Sequence, residues 1–302
     1  MDEDSGVGEG ESLLDVSFLS RLEKLDFLAR KVLAGEVRGE RRTSRAGMGT
    51  LFRDHKSYAQ GDDLRFLDWN VYSRFDELFI KQFEAEENLD LLLIMDVSGS
   101  MDFGRAHKMS AAKRVAAALG FIALERFGRV EVLPLPQPES SRGRLRFRGR
   151  PALRGFLSAL HALKPAGVFE ANSRRLATQL RRKGRGLALV ISDFFDPEGY
   201  EGLFGLLKHL GYRRGAIQVL DERDLHPGIT GLLRLEDVEA VKSLRRDVRK
   251  EDLERYELAA QQLCRQFRRA CGSAGVVHVR IDSSWGLERS VQTILLGGGL
   301  IA

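Results

Sequence analysis

Cysteine is almost missing from this chain of 302 residues: there are two, Cys264 and Cys271. They lie on one helical pattern, and seven helical steps rise about 10 Å, too far for a disulfide. Both fall on the apolar stripe and read as inert core residues. The six histidines are scattered, with no pair at metal-ligand spacing, so a zinc site is not expected. No apolar run approaches the roughly 18 to 20 residues that cross a bilayer. The opening Met1-Asp2-Glu3-Asp4 lacks the basic and apolar regions of a signal peptide, and the chain is expected in the cytoplasm. Walker A, dinucleotide-turn and Gly-x-Ser-x-Gly signatures are also missing, which removes three large enzyme classes.

What is present is a globular composition, 43% hydrophobic and 30% charged, long enough for one large or two modest domains. The net charge of +5 is concentrated: Arg142, Arg144, Arg146, Arg148, Arg150 and Arg154 share a stretch without an acid. That segment invites nucleic-acid binding, with Phe147 available for stacking; the plainer reading is a solvated hairpin.

Residues 1–12 are rich in glycine and acid and read as disordered. Leu14, Phe18, Leu22, Leu25 and Leu28 give Leu13–Leu33 a helical period. Residues 52–86 alternate opposite charges with aromatics, which suits a pinned polar network. There Asp62, Asp63 and Asp68 are expected to pair with Arg53, Arg65 or Arg74, and Trp69 to be largely buried. Residues 13–88 then form an extension packed on a domain over 89–302.

From Leu89 strands and helices alternate, the mark of a doubly wound, mostly parallel α/β sheet. Helices are expected at Arg105–Phe127, Pro151–Leu163, Asn172–Lys183, Tyr200–Leu210, Glu251–Cys271 and Leu287–Leu296. Strands are expected at Val130–Leu135, Leu145–Phe147, Leu187–Asp193, Gly215–Asp221 and Val276–Asp282, and a hairpin over 231–248.

The most informative stretch is Leu91-Leu92-Leu93-Ile94-Met95-Asp96-Val97-Ser98-Gly99-Ser100-Met101. An apolar run reads as a buried strand and stops at one carboxylate and two hydroxyls, where open α/β sheets bind ligands. Asp96, Ser98 and Ser100 are hard oxygen donors suited to Mg²⁺ or Mn²⁺. The same residues could instead cap a helix and accept backbone N–H bonds. A second apolar strand, Leu187–Ile191, ends at Ser192-Asp193. Neighbouring parallel strand ends converge, so Asp193 could share the ion; alternatively it turns the chain before Pro197.

Gly61-Asp62-Asp63-x-Arg65-x-x-Asp68-Trp69, Ser73-Arg74, Lys81-x-Phe83-x-x-Glu86, Asp96-x-Ser98-x-Ser100-Met101 and Ile191-Ser192-Asp193-Phe194 together resemble the domain-of-unknown-function 58 family, from about Gly47 onward. The resemblance implies a von Willebrand factor A-like fold with a metal-ion-dependent adhesion site and a MoxR-type AAA+ ATPase as partner. It further implies a role as adaptor or co-chaperone, in the branch without N-terminal transmembrane helices. The chain departs from that pattern once. Where a Thr ligand is expected, it reads Lys164-Pro165-Ala166-Gly167-Val168-Phe169-Glu170, and Val168 and Phe169 cannot ligate; Glu170, Asn172 or Ser173 are the nearby substitutes.

A non-enzymatic adaptor is the leading expectation, with a partner's acidic residue completing the ion's shell. The alternatives are nucleic-acid binding through Arg142–Arg154 and an Asp96 phosphatase. The latter lacks the second acid such chemistry uses as general acid, because Ser98 stands there.

Overall fold

The computed structural model describes residues 12–36, 51–60, 62–84, 90–104, 107–125, 128–137, 143–169, 176–177, 180, 186–195, 200–236 and 243–297. The chain divides into two compact units, residues 1–35 with 89–302, and residues 36–88. Helix α1 (Val16–Glu36) buries Phe18, Leu22 and Leu25 in the core of the larger unit. The expected extension over 13–88 is thus divided, because the apolar stripe of α1 finds its partners among residues beyond 89.

In the larger unit a six-stranded sheet is mostly parallel. Its strands are β3 (Leu91–Asp96), β4 (Arg129–Leu135), β5 (Leu145–Arg148), β6 (Leu187–Ser192), β7 (Arg213–Leu220) and β10 (Val277–Asp282), in the order β10-β7-β6-β3-β4-β5. Only β5 runs antiparallel, against β4. Side chains of a strand alternate between faces, and both faces are covered. Leu91, Leu93 and Met95 join one core with α3 (Lys108–Glu125), α4 (Leu153–Ala162) and α8 (Leu287–Leu296). Leu92 and Ile94 join the other, with α5 (Tyr200–His209) and α7 (Lys250–Ala274).

The helix after β3 and the helix after β6 therefore lie on opposite faces, although these strands are neighbours. Between their C-terminal ends a doubly wound sheet opens a crevice. Within α7, Gly275 closes the last turn in the left-handed conformation at φ 64. A one-turn helix α6 (Glu222–Leu225) follows β7, and β8 (Gly231–Glu236) pairs with β9 (Ser243–Val248) as the expected hairpin. The expected helix over 172–183 lies outside the described residues, apart from 176–177 and 180. Trp285 of this unit is half-buried, with the Arg289 guanidinium 4.1 Å from its ring centre.

The smaller unit pairs β1 (Leu51–Ser57) with β2 (Phe79–Glu84), joined through a 3₁₀ turn at Leu64–Phe66 and α2 (Trp69–Phe75). Asp68 is its polar centre. The carboxylate caps α2 by accepting the N–H groups of Asn70 and Val71, and it meets His55 Nε2 at 2.8 Å and Lys81 Nζ at 3.4 Å. These bonds, that of His55 foremost, lower its pKa to about 2. Asp63 pairs with Arg65, as expected, whereas Asp62 takes Lys56. The strand register fits this choice: Lys81 is the partner of His55 across the hairpin and both reach Asp68, whereas Lys56 falls on the opposite face and takes Asp62. The side chain of Arg53 lies outside the described residues.

The expectation for Trp69 is overturned: it is 68% exposed, as is Phe75. At the first position of a seven-residue helix, in a unit of some fifty residues, there is little interior to enter. Its ring instead meets Tyr72 edge-on at 6.2 Å.

Candidate functional site at the C-terminal edge of the sheet

Strand β3 delivers Asp96 to the sheet's edge with 1% exposure, and the 3₁₀ turn Gly99–Asp102 follows it. Asp96 continues the parity of Leu92 and Ile94, so its carboxylate faces the α5 side. There it accepts the Ser98 N–H at 2.9 Å, the Ser192 hydroxyl, and the Tyr200 hydroxyl at 3.2 Å. Burial, reinforced by the Asp193 charge, pushes Asp96 up to about 6 against the pull of Ser192 and Ser98. Burial and the same two carboxylates raise Tyr200 well above the ordinary phenol value, so it remains a hydroxyl donor.

Ser98 is fully buried, and its Oγ stands 3.0 Å from Ser100 Oγ. The loop 163–169 is strapped alongside: Gly99 N–H donates to the Gly167 carbonyl at 2.9 Å, and Ala166 N–H to Val97 at 2.7 Å. Phe169 is 6% exposed and stacks on Tyr200 at 4.5 Å. An aromatic seal thus occupies the place of the expected hydroxyl ligand. Glu170, Asn172 and Ser173 lie outside the described residues.

Asp193 emerges at the neighbouring strand end, 3% exposed, but with a different partner. Its Oδ2 receives Lys108 Nζ at 2.7 Å, and the same ammonium reaches Asp224 at 3.2 Å. Lys108 is 2% exposed. Burial opposes its charge, but Asp193 and Asp224 outweigh that cost and raise its pKa. Phe103 and Phe195 lay ring faces near the ammonium, at 5.7 and 5.8 Å.

Two backbone constraints hold the surroundings. Phe194 adopts φ 55, a conformation a bulky residue enters only when packing dictates it; here its ring is held by Phe267 at 4.2 Å and Tyr200 at 4.4 Å. Gly104, at φ 100, is pressed so closely on Asp221 that a Cβ would stand 2.5 Å from that carboxyl.

The structure thus gathers Asp96, Ser98 and Ser100 on one loop and sets Asp193 at the adjacent strand end. Among the described residues no group of three or more His, Cys, Asp or Glu could hold a metal. The donor set for a cation is therefore one carboxylate and two hydroxyls. As hard oxygens these suit Mg²⁺ or Mn²⁺ in chemical type. Asp96 supports the fit, since it is a deeply buried carboxylate whose partners are all neutral donors.

Lys108, Asp224 and Tyr200 escape the motif reading, and Ser192 enters it only within Ile191-Ser192-Asp193-Phe194, with no role of its own. Lys108 had a signal: Lys108, Ala112, Val115 and Leu119 fall on one apolar stripe, where a lone lysine needs a counter-charge.

The arginine segment carries less free charge than its sequence suggests. Arg144 and Arg146 both meet Glu131, and Arg150 meets Glu125. Phe147 packs edge-on against Phe156 at 5.5 Å, turned toward the core instead of a base.

The family model described as protein of unknown function DUF58 matches residues 54–266. Uncharacterized protein Rv1480 of Mycobacterium tuberculosis (strain ATCC 25618 / H37Rv) is 29% identical over 282 residues, covering 90% of this chain and 87% of that protein. Uncharacterized protein Mb1516 of Mycobacterium bovis matches equally, at 29% over 282 residues with the same coverage. Among solved structures, the conserved hypothetical protein BatB from Bacteroides thetaiotaomicron aligns at TM-score 0.36 and 13% identity, over 68% of this chain and 98% of that one. An aerotolerance-related membrane protein from Bacteroides fragilis aligns at TM-score 0.36 and 14% identity, with the same coverage. No helix among the described residues is long and apolar enough to cross a membrane.

Proposed function

For this chain, which belongs to the DUF58 family, we propose a von Willebrand factor A-like adaptor that binds a partner protein through a divalent ion at Asp96, Ser98 and Ser100. The observation that carries this reading is the buried Asp96 carboxylate, facing only neutral donors beside a pair of hydroxyls. When bound, Mg²⁺ or Mn²⁺ supplies an open coordination position for a partner's Asp or Glu. Ser98 and Ser100 present their oxygens, Ser192 and Tyr200 fix the carboxylate's orientation, and the Phe169–Tyr200 stack keeps water from its rear.

Asp193 serves from the second sphere, because Lys108 already neutralises it. The expected Thr ligand is replaced by nothing equivalent on Val168 or Phe169, so affinity for the ion is weak. A MoxR-type AAA+ ATPase is the partner we propose, with the protein acting as a non-enzymatic adaptor or co-chaperone in the cytoplasm.

Titration calorimetry with Mg²⁺ and Mn²⁺, and a pull-down of a MoxR-type ATPase with and without EDTA, test this. Asp96→Ala strands the donors of Ser98, Ser192 and Tyr200 in a buried setting, so it disturbs the fold as well as the ion. Ser100→Ala is cleaner, since Ser100 is only partly buried. The expected result is millimolar-range heat, lost in Ser100→Ala, and capture abolished by EDTA. Capture that persists in EDTA, with no heat from either ion, overturns the mechanism.

A further inference from the structure

At the β10 edge of the larger unit lies a cleft of about 440 Å³ that the adaptor reading does not use. Helix α7 lines it with Gln261, Cys264, Arg265 and Arg268, spaced as one helical face. Strand β10 contributes His278 and Arg280, which alternate onto one side of the sheet. Gln218 of β7, the register partner of Arg280, forms the floor at 1% exposure.

Arg265, Arg268 and Arg280 thus line one cleft from two elements, all three exposed, and none forms an ion pair with a described residue. The local field is felt by His278, whose pKa falls to about 4, through burial first and the charges of Arg268 and Arg280 next. The imidazole is therefore neutral, and it donates from Nε2 to Gln218 Oε1 at 3.2 Å. Gln218 in turn donates to the Asp193 carbonyl at 2.9 Å. The Gln218 amide is thus committed to protein partners, and the arginines are the charged groups lining the cleft.

We propose that this cleft binds a small phosphorylated molecule, with Arg265, Arg268 and Arg280 holding its phosphate oxygens. Planar guanidinium forks match phosphate geometry, and the volume suits a small ligand. A phosphate group offers more acceptor oxygens to three forks than a carboxylate does. Among the lining residues only His278 carries an aromatic ring, and it is fixed to Gln218, so the cleft has no platform for stacking a nucleobase.

The test is titration of the full chain with inorganic pyrophosphate, with citrate and sulfate at matched ionic strength. Pyrophosphate is expected to bind with a Kd below about 1 mM. The double variant R268Q/R280Q is expected to weaken it at least about tenfold. R148Q/R154Q, which removes two exposed charges, one in β5 and one in α4, is expected to leave it unchanged. Should R268Q/R280Q melt early, R265Q alone carries the comparison, because Arg265 is exposed on α7.

Several outcomes overturn the proposal. Absence of heat from pyrophosphate at about 10 mM is one; equal binding of citrate or sulfate is another; an equal loss in R148Q/R154Q, which marks a general response to net charge, is a third. A single-stranded oligonucleotide that binds and is lost with R268Q/R280Q would reassign the cleft to nucleic acid.

Discussion

The two units solve the same problem, what to do with charge, in opposite ways. In the larger unit Lys108, Asp193 and Asp224 are sealed inside, with side chains only 2%, 5% and 8% exposed. In the unit over 36–88 the pair Arg65–Asp63 lies at 79% and 42% exposure, and aromatics such as Trp69 and Phe75 face outward. A sheet covered on both faces can enclose an ion triad because its own core surrounds it. A hairpin with one short helix has Leu67 and Ile80 as its buried apolar residues among those described, buries the single carboxylate of Asp68, and leaves Arg65–Asp63 wet. The same ion-pair chemistry is structural in the buried triad and nearly neutral in the exposed Arg65–Asp63 pair.

The sharpest way to break that contrast is Lys108→Met. Removing the cation leaves two carboxylates buried, at a cost of about 3 to 5 kcal/mol, so calorimetry should show a Tm lower by about 10 °C. An unchanged Tm would show that the triad is not structural.

Next comes Gly120→Ala in α3. The added Cβ would stand 2.1 Å from the Phe156 ring, and overpacking of this kind costs about 1 to 3 kcal/mol. Adding Phe156→Leu should restore part of the loss, and failure to do so would place the strain elsewhere.

In the smaller unit, Asp68→Ala should act locally, speeding hydrogen exchange at the Asn70 and Val71 amides while leaving the sheet's amides protected. The same group sets an acid dependence. Its folded pKa is depressed to about 2, so its contribution is complete above the ordinary carboxylate value of about 3.9. It declines as pH falls toward about 2. Amide exchange of residues 51–84 that is flat over that window would contradict it. The smallest effect is Arg65→Ala, where the exposed pair should leave the Tm within about 1 °C.

Much of the architecture was legible because the periods are clean. The apolar run at Leu91–Met95 is the central strand, and the helix expected at Leu287–Leu296 has those bounds. Elsewhere the ends moved by a few residues, as for Lys250–Ala274 against 251–271, since helix ends depend on local caps. The loop carrying Asp96, Ser98 and Ser100 was visible as a motif. What surrounds it was not, because Lys108 meets Asp193 and Asp224 across 85 and 116 residues of chain. No local pattern encodes such a meeting. Trp69 misled for a related reason: aromatic content signals burial only where the unit is large enough to supply an interior.

The placement of the two tryptophans has an optical consequence. There are two in the whole chain, and one falls in each unit: Trp69 open to water, Trp285 half-covered with a guanidinium over its ring. The protein is thus doubly labelled by nature. Iodide should quench the Trp69 emission first, and W69F should leave a bluer, better shielded spectrum belonging to the sheet unit alone. Fluorescence can then follow each half of the molecule separately, without a dye and without cutting the chain.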